Sequence, residues 1–431
     1  MMSTDFEDTL LSEARALEAA RETERLAQIA RLVNQAQSCL APVAQAEILP
    51  GEAYVDPTVW EFEREEIFRR EWLFVGHVNE VREPGSWLPF TILGEQLLLT
   101  RDTDGQVHVI SAICQHRGHP LVGGVRDLPA DAPCQRANKL VCPYHNWAYR
   151  LDGRLMGAPE MEHTTPVQTL RQSVRLPKLR TEIFHGLVFV NFDEDAQPLA
   201  PRLAKLDAEL ANYKLNTLMP GPVLFKKGLA WNWKLHHENA MEPYHTSYVH
   251  RGHHDAVPSR LTRFRTFDIG DGQIMRTTGF AKDDGDLLSG TGRREWELPD
   301  LTEEQRSRVL FCSLMPNAIV VLQPSFVTVT VMDPLNEGAM TSRRINLYPA
   351  STAAAPDFLD RCAADMEAIK VLVMEDEVTQ NALQQAYRSR YLSRGRLAFL
   401  ESAIAQLNQW VVDRYAQALA RRRQAHAARQ P

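Results

Sequence analysis

Cys114 and His116 form a Cys-x-His pair, and Cys142 and His145 form a Cys-x-x-His pair, with 25 residues between His116 and Cys142. Two thiols and two imidazoles in tight, mixed pairs suit a metal centre. One reading is a structural zinc, which accepts Cys2His2 ligation. The other is a Rieske [2Fe–2S] cluster, in which two Cys hold one iron and two His the other. Zinc fingers pair Cys with Cys and His with His. Here each segment supplies one of each, as a cluster with two chemically distinct irons requires. The pattern favours the cluster, with zinc as the competitor. Each segment also carries tight-turn residues: His-Arg-Gly in the first, Cys-Pro-Tyr-His in the second.

The phrases Cys-Gln-His-Arg-Gly-His from Cys114 and Cys-Pro-Tyr-His-Asn-Trp-Ala-Tyr-Arg-Leu-Asp-Gly-Arg-Leu from Cys142 carry a family resemblance. The chain resembles the Rieske non-haem iron oxygenases, specifically their alpha (large, catalytic) subunit, within the aromatic-ring-hydroxylating dioxygenase superfamily. The segments Gly157–Glu162 and Ser393–Arg396 are also similar to that family, and the resemblance extends over most of residues 50–415. The first 45 residues lie outside it. The gap between the two pairs is longer than the family's usual one. Its excess, Asp127 to Asn138, is rich in Pro, Asp and Ala. It reads as a loop that projects without moving the ligands.

Downstream, Glu242-x-x-His245-x-x-x-x-His250 resembles the family's mononuclear iron motif. Two His and one carboxylate make the facial triad of non-haem Fe(II) oxygenases, which leaves positions open for dioxygen. His245 and His250 would stand about 140° apart on a regular helix, so the backbone must turn or distort after His245. Pro243 fits an early helix position or a distortion better than a helix interior. His236, His237, His253 and His254 are nearby decoys, and Met241 rules out the metalloprotease motif. The third ligand must come from elsewhere. By resemblance it is Asp376, with Gln384 eight residues on and Glu375 and Glu377 as fallbacks; the competing reading is an ordinary charged helix face. The resemblance also gives Glu242 a bridging role, from His145 of one chain to His245 of the next. A carboxylate can accept from two imidazoles at once. Glu, where many ring dioxygenases have Asp, tilts weakly toward branches that include enzymes of quaternary amines. Asn239 is expected to stand behind the ligands.

At 431 residues, two domains are the prior. The net charge of −7, from 48 basic and 55 acidic residues, disfavours a nucleic-acid binder. No apolar run is long enough to span a membrane, and the acidic N-terminus lacks a secretory apolar core. Of six cysteines, Cys39, Cys134, Cys312 and Cys362 are scattered and unassigned. Cys134 reads as a free thiol in the long gap. Such usage fits a reducing cytoplasm.

These residues need elements to position them. Residues 5 to about 44 read as an Ala-rich helix ended by Pro42, either capping the body or serving oligomer contacts. Val59 to Trp72 reads as a short amphipathic helix. Residues 73 to 112 alternate as strands, with a hairpin turn at Asp102–Gly105, and Gly186–Phe192 closes a small antiparallel β domain around the Cys/His loops. A helix is expected near Leu203–Tyr213, strands across 309–348, and long helices over 356–388 and 396–424. Strands followed by long helices give an α+β fold: an N-terminal helix, a small antiparallel Rieske domain, and a helix-grip-like catalytic domain whose antiparallel sheet is covered by helices. The expected division is 1–45 helical extension, 46–71 lead-in packing on the catalytic domain, 72–192 Rieske domain, and 193–431 mononuclear iron domain.

The resemblance implies a terminal oxygenase. It would use a Rieske [2Fe–2S] cluster and mononuclear Fe(II) to hydroxylate, dihydroxylate or oxidatively demethylate a small organic substrate, most simply an aromatic one, with O2. The absence of a Gly-x-Gly-x-x-Gly fingerprint makes NAD(P)H an indirect donor, through a separate reductase with or without a ferredoxin. Head-to-tail homotrimers are implied, and a beta subunit is a further expected partner. The alternatives are a monooxygenase or demethylase of a quaternary or tertiary amine, a Rieske electron carrier without oxygen chemistry, and a zinc-stabilised binding protein. A carrier would need only the β domain.

Overall fold

The computed structural model describes residues 4–122, 134–250, 254–282 and 296–428, with side chains of the first helix described from Leu17 onward. Most of the gap segment Asp127–Asn138 and the decoy His253 lie outside the described residues.

Residues 73–191 carry ten short strands: β1 (Leu73–His77), β2 (Ser86–Ile92), β3 (Glu95–Arg101), β4 (Val107–Ser111), β5 (Gln135–Arg136), β6 (Leu140–Val141), β7 (Ala148–Tyr149), β8 (Leu155–Gly157), β9 (Arg180–Phe184) and β10 (Leu187–Asn191). They sort into three antiparallel sheets rather than one: β4-β3-β2-β5, β6-β7-β8 and β1-β10-β9. Leu93 and Gly94, both at positive φ, make the tight β2–β3 turn that such hairpins demand. At the β3–β4 turn, the Asp102 carboxylate accepts from the backbone N–H of Asp104 and Gln106. Gly186–Phe192 does pair back onto residue 73, as the alternation implies. That sheet, however, packs through Phe74, Leu187 and Phe189 into the apolar cluster of the second half of the chain. Asn317 pins it there, since its side chain accepts from Phe74 N–H and donates to Phe74 C=O, both at 2.9 Å.

The second half holds β11 (Met219–Pro220), β12 (Leu224–Leu229), β13 (Thr262–Phe264), β14 (Gln273–Gly279), β15 (Arg308–Leu314), β16 (Ala318–Leu322), β17 (Val327–Asn336) and β18 (Ala339–Tyr348). They form one eight-stranded sheet, ordered β11-β18-β17-β16-β15-β14-β13, with β12 also on β18. Successive side chains of a strand point to opposite faces. Leu310, Cys312, Val320, Val327, Val329 and Ile345 bury one face against Leu203, Leu206 and Leu210. The alternate residues look toward the helices that carry the candidate ligands.

Those helices are Trp233–Met241 and the long Phe358–Ala386. The first helix runs Thr4–Gln35 and tightens to a 3-10 turn at Ala36–Leu40, so it ends before Pro42. Its residues Leu26, Ile29, Leu32, Val33 and Ala36 recur at helical spacing and pack with Leu407, Trp410, Val411 and Tyr415 of the C-terminal helix Ser402–Ala427. The expected helix at Val59–Trp72 is shorter: Pro57–Glu63, capped by Asp56, then a π turn at Arg64–Phe68. At its end Glu63, fully buried, accepts from Lys234 Nζ (2.6 Å), Trp233 Nε1 (2.9 Å) and the Tyr415 hydroxyl. This one carboxylate ties the lead-in helix, the start of the candidate ligand helix and the C-terminal helix together.

Candidate metal centres

The two Cys/His loops have the same local build. The first leaves β4 and closes where Cys114 N–H donates to His119 O and Gly118 N–H to Cys114 O, both at 3.0 Å. The second joins β6 to β7, with Cys142 N–H donating to Trp147 O (2.8 Å) and Asn146 N–H to Cys142 O (3.0 Å). Gly118 and Asn146, each four residues after its Cys, take positive φ of 70° and 57°, which L side chains rarely adopt; Gly and Asn tolerate it best. The loops therefore present Cys at the base and His near the tip. Both cysteines are buried, and the His116 and His145 rings meet edge to face at 4.8 Å. His116 stacks flat on Trp147 at 4.7 Å. Tyr149, buried, places its hydroxyl 3.3 Å from Cys114 Sγ.

The residues fit a shared metal group on two observations. His116 Nδ1 is buried and has no hydrogen-bond partner, although buried imidazole nitrogens normally find one. The Cys114 thiol is raised above its ordinary pKa, by burial first, with Cys142 close enough to add to the effect. A thiol buried in this way stays protonated unless a cation ionises it.

The second centre begins where the Trp233–Met241 helix stops. Asn232 caps its start by accepting from Lys234 N–H (2.9 Å). Glu242 is extended, Pro243 lacks the N–H to continue, and a 3-10 turn at His245–Ser247 redirects the chain. His250 then sits beyond a turn whose backbone N–H reaches Thr246 O (3.1 Å). The 140° problem is solved by ending the helix. The two rings lie 4.9 Å apart and nearly perpendicular. Asp376, midway along Phe358–Ala386, faces both: its Oδ1 is 2.9 Å from His250 Nε2 and 3.5 Å from His245 Nε2. One ligand atom from each of the three residues lies within 4.8 Å of the others, the only such set of three or more His, Cys, Asp or Glu among the described residues.

The opposite ring nitrogens are held by other carboxylates. Glu242 Oε1 lies 2.5 Å from His245 Nδ1, and Glu375 Oε2 lies 2.8 Å from His250 Nδ1. That arrangement keeps a proton on Nδ1 and turns Nε2 toward the shared point. Burial lowers the His250 pKa, but Asp376 and Glu375 at its two nitrogens win and raise it above the ordinary value. A divalent cation would take the place of that proton. Asn239 Nδ2 donates to Asp376 Oδ1 (3.1 Å), and Gln380 Nε2 donates to Asn239 Oδ1 (3.2 Å).

Other sequence candidates stay outside the ligand set. Gln384 accepts from Asn232 N–H (2.9 Å) and donates to Tyr54 O (3.1 Å), bracing the helix start rather than Asp376. Glu377 pairs with Lys226. His237 is bonded to Ser313 Oγ and Pro316 O, and burial pushes its pKa down to about 3. His254 joins Ser247 and Ser259. A cavity of about 240 Å³ opens beside His245, His250 and Asp376, and two of its residues, Arg276 and Arg344, went unnoticed in the sequence. Only strand register places them there.

A family model described as "Ring hydroxylating alpha subunit (catalytic domain)" matches residues 205–417, and one described as "Rieske [2Fe-2S] domain" matches residues 71–174. The chain is 29% identical over 210 residues to the carnitine monooxygenase oxygenase subunit of Acinetobacter pittii (strain PHEA-2), covering 48% of this chain and 54% of that protein. It is 32% identical over 204 residues to the glycine betaine monooxygenase oxygenase subunit of Pseudomonas aeruginosa (strain UCBPP-PA14), covering 47% and 44%. The chain thus spans about half the length of these curated relatives. Its fold is similar to a crystal structure of naphthalene 1,2-dioxygenase from Rhodococcus sp. bound to indole, with TM-score 0.73 and 20% identity over 90% of this chain and 98% of that one.

Proposed function

The chain belongs to the alpha subunits of the Rieske non-haem iron oxygenases, and we propose that it is a terminal oxygenase acting on a small organic substrate. The observation that carries the proposal is the convergence of His245, His250 and Asp376 beside a cavity, in a chain that also bears two Cys/His loops. When bound, a [2Fe–2S] cluster supplies single electrons and a mononuclear iron supplies dioxygen activation.

In this reading Cys114 and Cys142 hold one iron of the cluster, and His116 and His145 the other. His245, His250 and Asp376 hold the mononuclear iron. Glu242 and Glu375 keep the Nδ1 protons of the two histidines in place, which commits Nε2 to the metal. Asn239, braced by Gln380, fixes the rotamer of Asp376. The sheet face under the cavity excludes water and orients the substrate. The division 1–45, 46–71, 72–192 and 193–431 belongs to the same proposal.

Electrons come from NAD(P)H through a separate reductase, directly or by way of a ferredoxin, because the chain has no dinucleotide fingerprint. Glu242 Oε2 accepts from the backbone N–H of Tyr244 and His245, while Oε1, facing His245 Nδ1, keeps a further lone pair; Tyr144, Tyr244 and Tyr248 stand exposed beside His145 and Glu242. These features support a head-to-tail homotrimer in which His145 of one chain meets Glu242 of the next. No helix among the described residues is long and apolar enough to cross a membrane; a cytoplasmic location is part of the proposal.

Hydroxylation, dihydroxylation and oxidative demethylation all remain within this chemistry. The relatives named for carnitine and glycine betaine, together with Glu at position 242, favour a second reading as an amine monooxygenase or demethylase. The test is reconstitution with a compatible reductase, O2 uptake across a substrate panel, and product analysis. Substrate-dependent O2 uptake with an oxygenated or demethylated product is expected. Cluster reduction with no O2 uptake for any substrate would return the chain to the carrier reading.

A further inference from the structure

Alternate residues of five strands floor the cavity beside the triad. Register sets them in two rows across the sheet. Arg344, Thr330 and Ile319 stand side by side in one, and Thr328, Val321, Phe311 and Arg276 in the other. Two guanidinium groups therefore face the same cavity, on β18 and β14.

The two differ in what they have left to give. Arg276 is committed. Its Nη1 donates to Thr278 Oγ1 and its Nη2 to Ala240 O, both at 3.0 Å, and its guanidinium lies over Phe311 at 3.9 Å. The Arg344 side chain makes no hydrogen bond or ion pair among the described residues; its Nε, like that of Arg276, is buried without a partner, but its terminal nitrogens are uncommitted as well. Its neighbour Arg343 points to the opposite face, where Glu80 and Val75 O take it. Strand alternation leaves Arg344 on the cavity side. The carboxylates that line the cavity are engaged: Glu377 with Lys226, and Asp376 with the two histidines.

A guanidinium keeps its charge at any physiological pH, so it cannot relieve its burial by losing a proton. Burial holds Arg344 below its usual pKa, with no carboxylate among the groups that oppose the shift. Two N–H edges in a fixed fork are the geometry that binds a carboxylate bidentately. Arg344 also acts on His236, which burial first drives down to about 4 and which lines the same cavity against Gln380. The free fork thus shares the cavity with His236 and Gln380.

We propose that Arg344 is a carboxylate-binding residue and that the substrate is a small organic acid. Its carboxylate sits on the Arg344 fork, flanked by the hydroxyls of Thr330 and Ser342, and its apolar body lies over Ile319 and Val321. A cation without a carboxylate is the wrong partner. Three cationic side chains line the cavity, and the face of Phe311 that could receive an ammonium is already covered by Arg276. The proposal rests on the oxygenase reading for the word substrate, but binding tests it independently of turnover.

The experiment is calorimetric titration of the purified holoprotein with matched pairs: benzoate and benzamide, phenylacetate and phenylacetamide, trimethylglycine and choline. In at least one pair the acid should bind about tenfold tighter or more than its partner. Arg344→Gln should erase that preference while metal content and the visible cluster spectrum stay unchanged. If Arg344→Gln does not fold, Arg344→Lys decides: it keeps the charge and loses the fork, so the preference must fall severalfold. Failure of every acid to bind, equal binding within all pairs, or a preference that survives substitution overturns the proposal. Failure of the oxygenase reading would appear separately, as a protein that binds acids but never takes up O2.

Discussion

At the scale of single residues, the two histidines and Asp376 form a site only because each donor is held from behind. Removing Asp376 takes away the one carboxylate that, among the described residues, faces both Nε2 atoms. Asp376→Ala should lose the mononuclear iron and turnover but keep the cluster's visible spectrum, read by iron analysis alongside absorption. Full activity would remove Asp376 from the ligand set. Glu242→Gln keeps a similar shape but loses a charge-assisted acceptor for His245 and, in the proposed head-to-tail trimer, for a partner imidazole. Both metals should remain, with oxidation of the reduced cluster slowed in a single-turnover experiment by roughly ten- to a hundredfold, the usual effect of losing such a supporting partner. An unchanged rate would sink the bridge.

At the scale of elements, buried polar groups fix how helices and strands meet. Glu63 is the shared acceptor of Lys234, Trp233 and Tyr415, with Glu63 and Lys234 both fully buried. Removing one partner of such a pair leaves a buried, uncompensated charge. Glu63→Gln should therefore destabilise the fold by about 3–5 kcal/mol in denaturant unfolding, although it touches no candidate ligand. His77, at the end of β1, has Nε2 3.0 Å from Leu215 O and accepts from Asn79 N–H, so both nitrogens serve a neutral ring. Burial pushes its pKa down to about 4, from 6.5. The unfolded chain takes up the proton first, so stability is lost as pH falls from 6.5 toward 4. The loss should approach about 3 kcal/mol, as an upper bound. His77→Gln should flatten that part of the melting-temperature profile; an unaltered profile would mean the ring is not held neutral.

At the scale of the whole molecule, the prediction is compositional. The ligand sets call for about three irons per chain, two in a cluster and one alone, in a brown protein. Colourless protein with one zinc per chain would reinstate the structural-zinc reading. Native mass by light scattering should be about three times the 48.9 kDa chain. A strictly monomeric holoprotein with full turnover would contradict the head-to-tail arrangement.

Cys114, His116, Cys142 and His145 were legible in the sequence as a candidate site because metal ligation demands particular atoms at short spacing, and short spacing is local. So were the strand-then-helix order and the two loops, written in period-two alternation and in Gly118. Helix ends were less legible: the π turn at Arg64–Phe68 and the early stop at Gln35 depend on packing against the C-terminal helix. Asp376 needed resemblance to pick it from three adjacent acids, since 126 residues separate it from His250 and no local pattern spans that distance. Tertiary structure alone divided the labour among those acids, setting Asp376 against both Nε2 atoms, Glu375 behind His250 and Glu377 on Lys226. It alone separated Arg343 from Arg344. Adjacent in sequence and identical in chemistry, they point to opposite faces of β18, one to Glu80 and the other to the cavity. Spacing points to candidate metal sites, whereas the register of the eight-stranded sheet decides which side chains line the cavity.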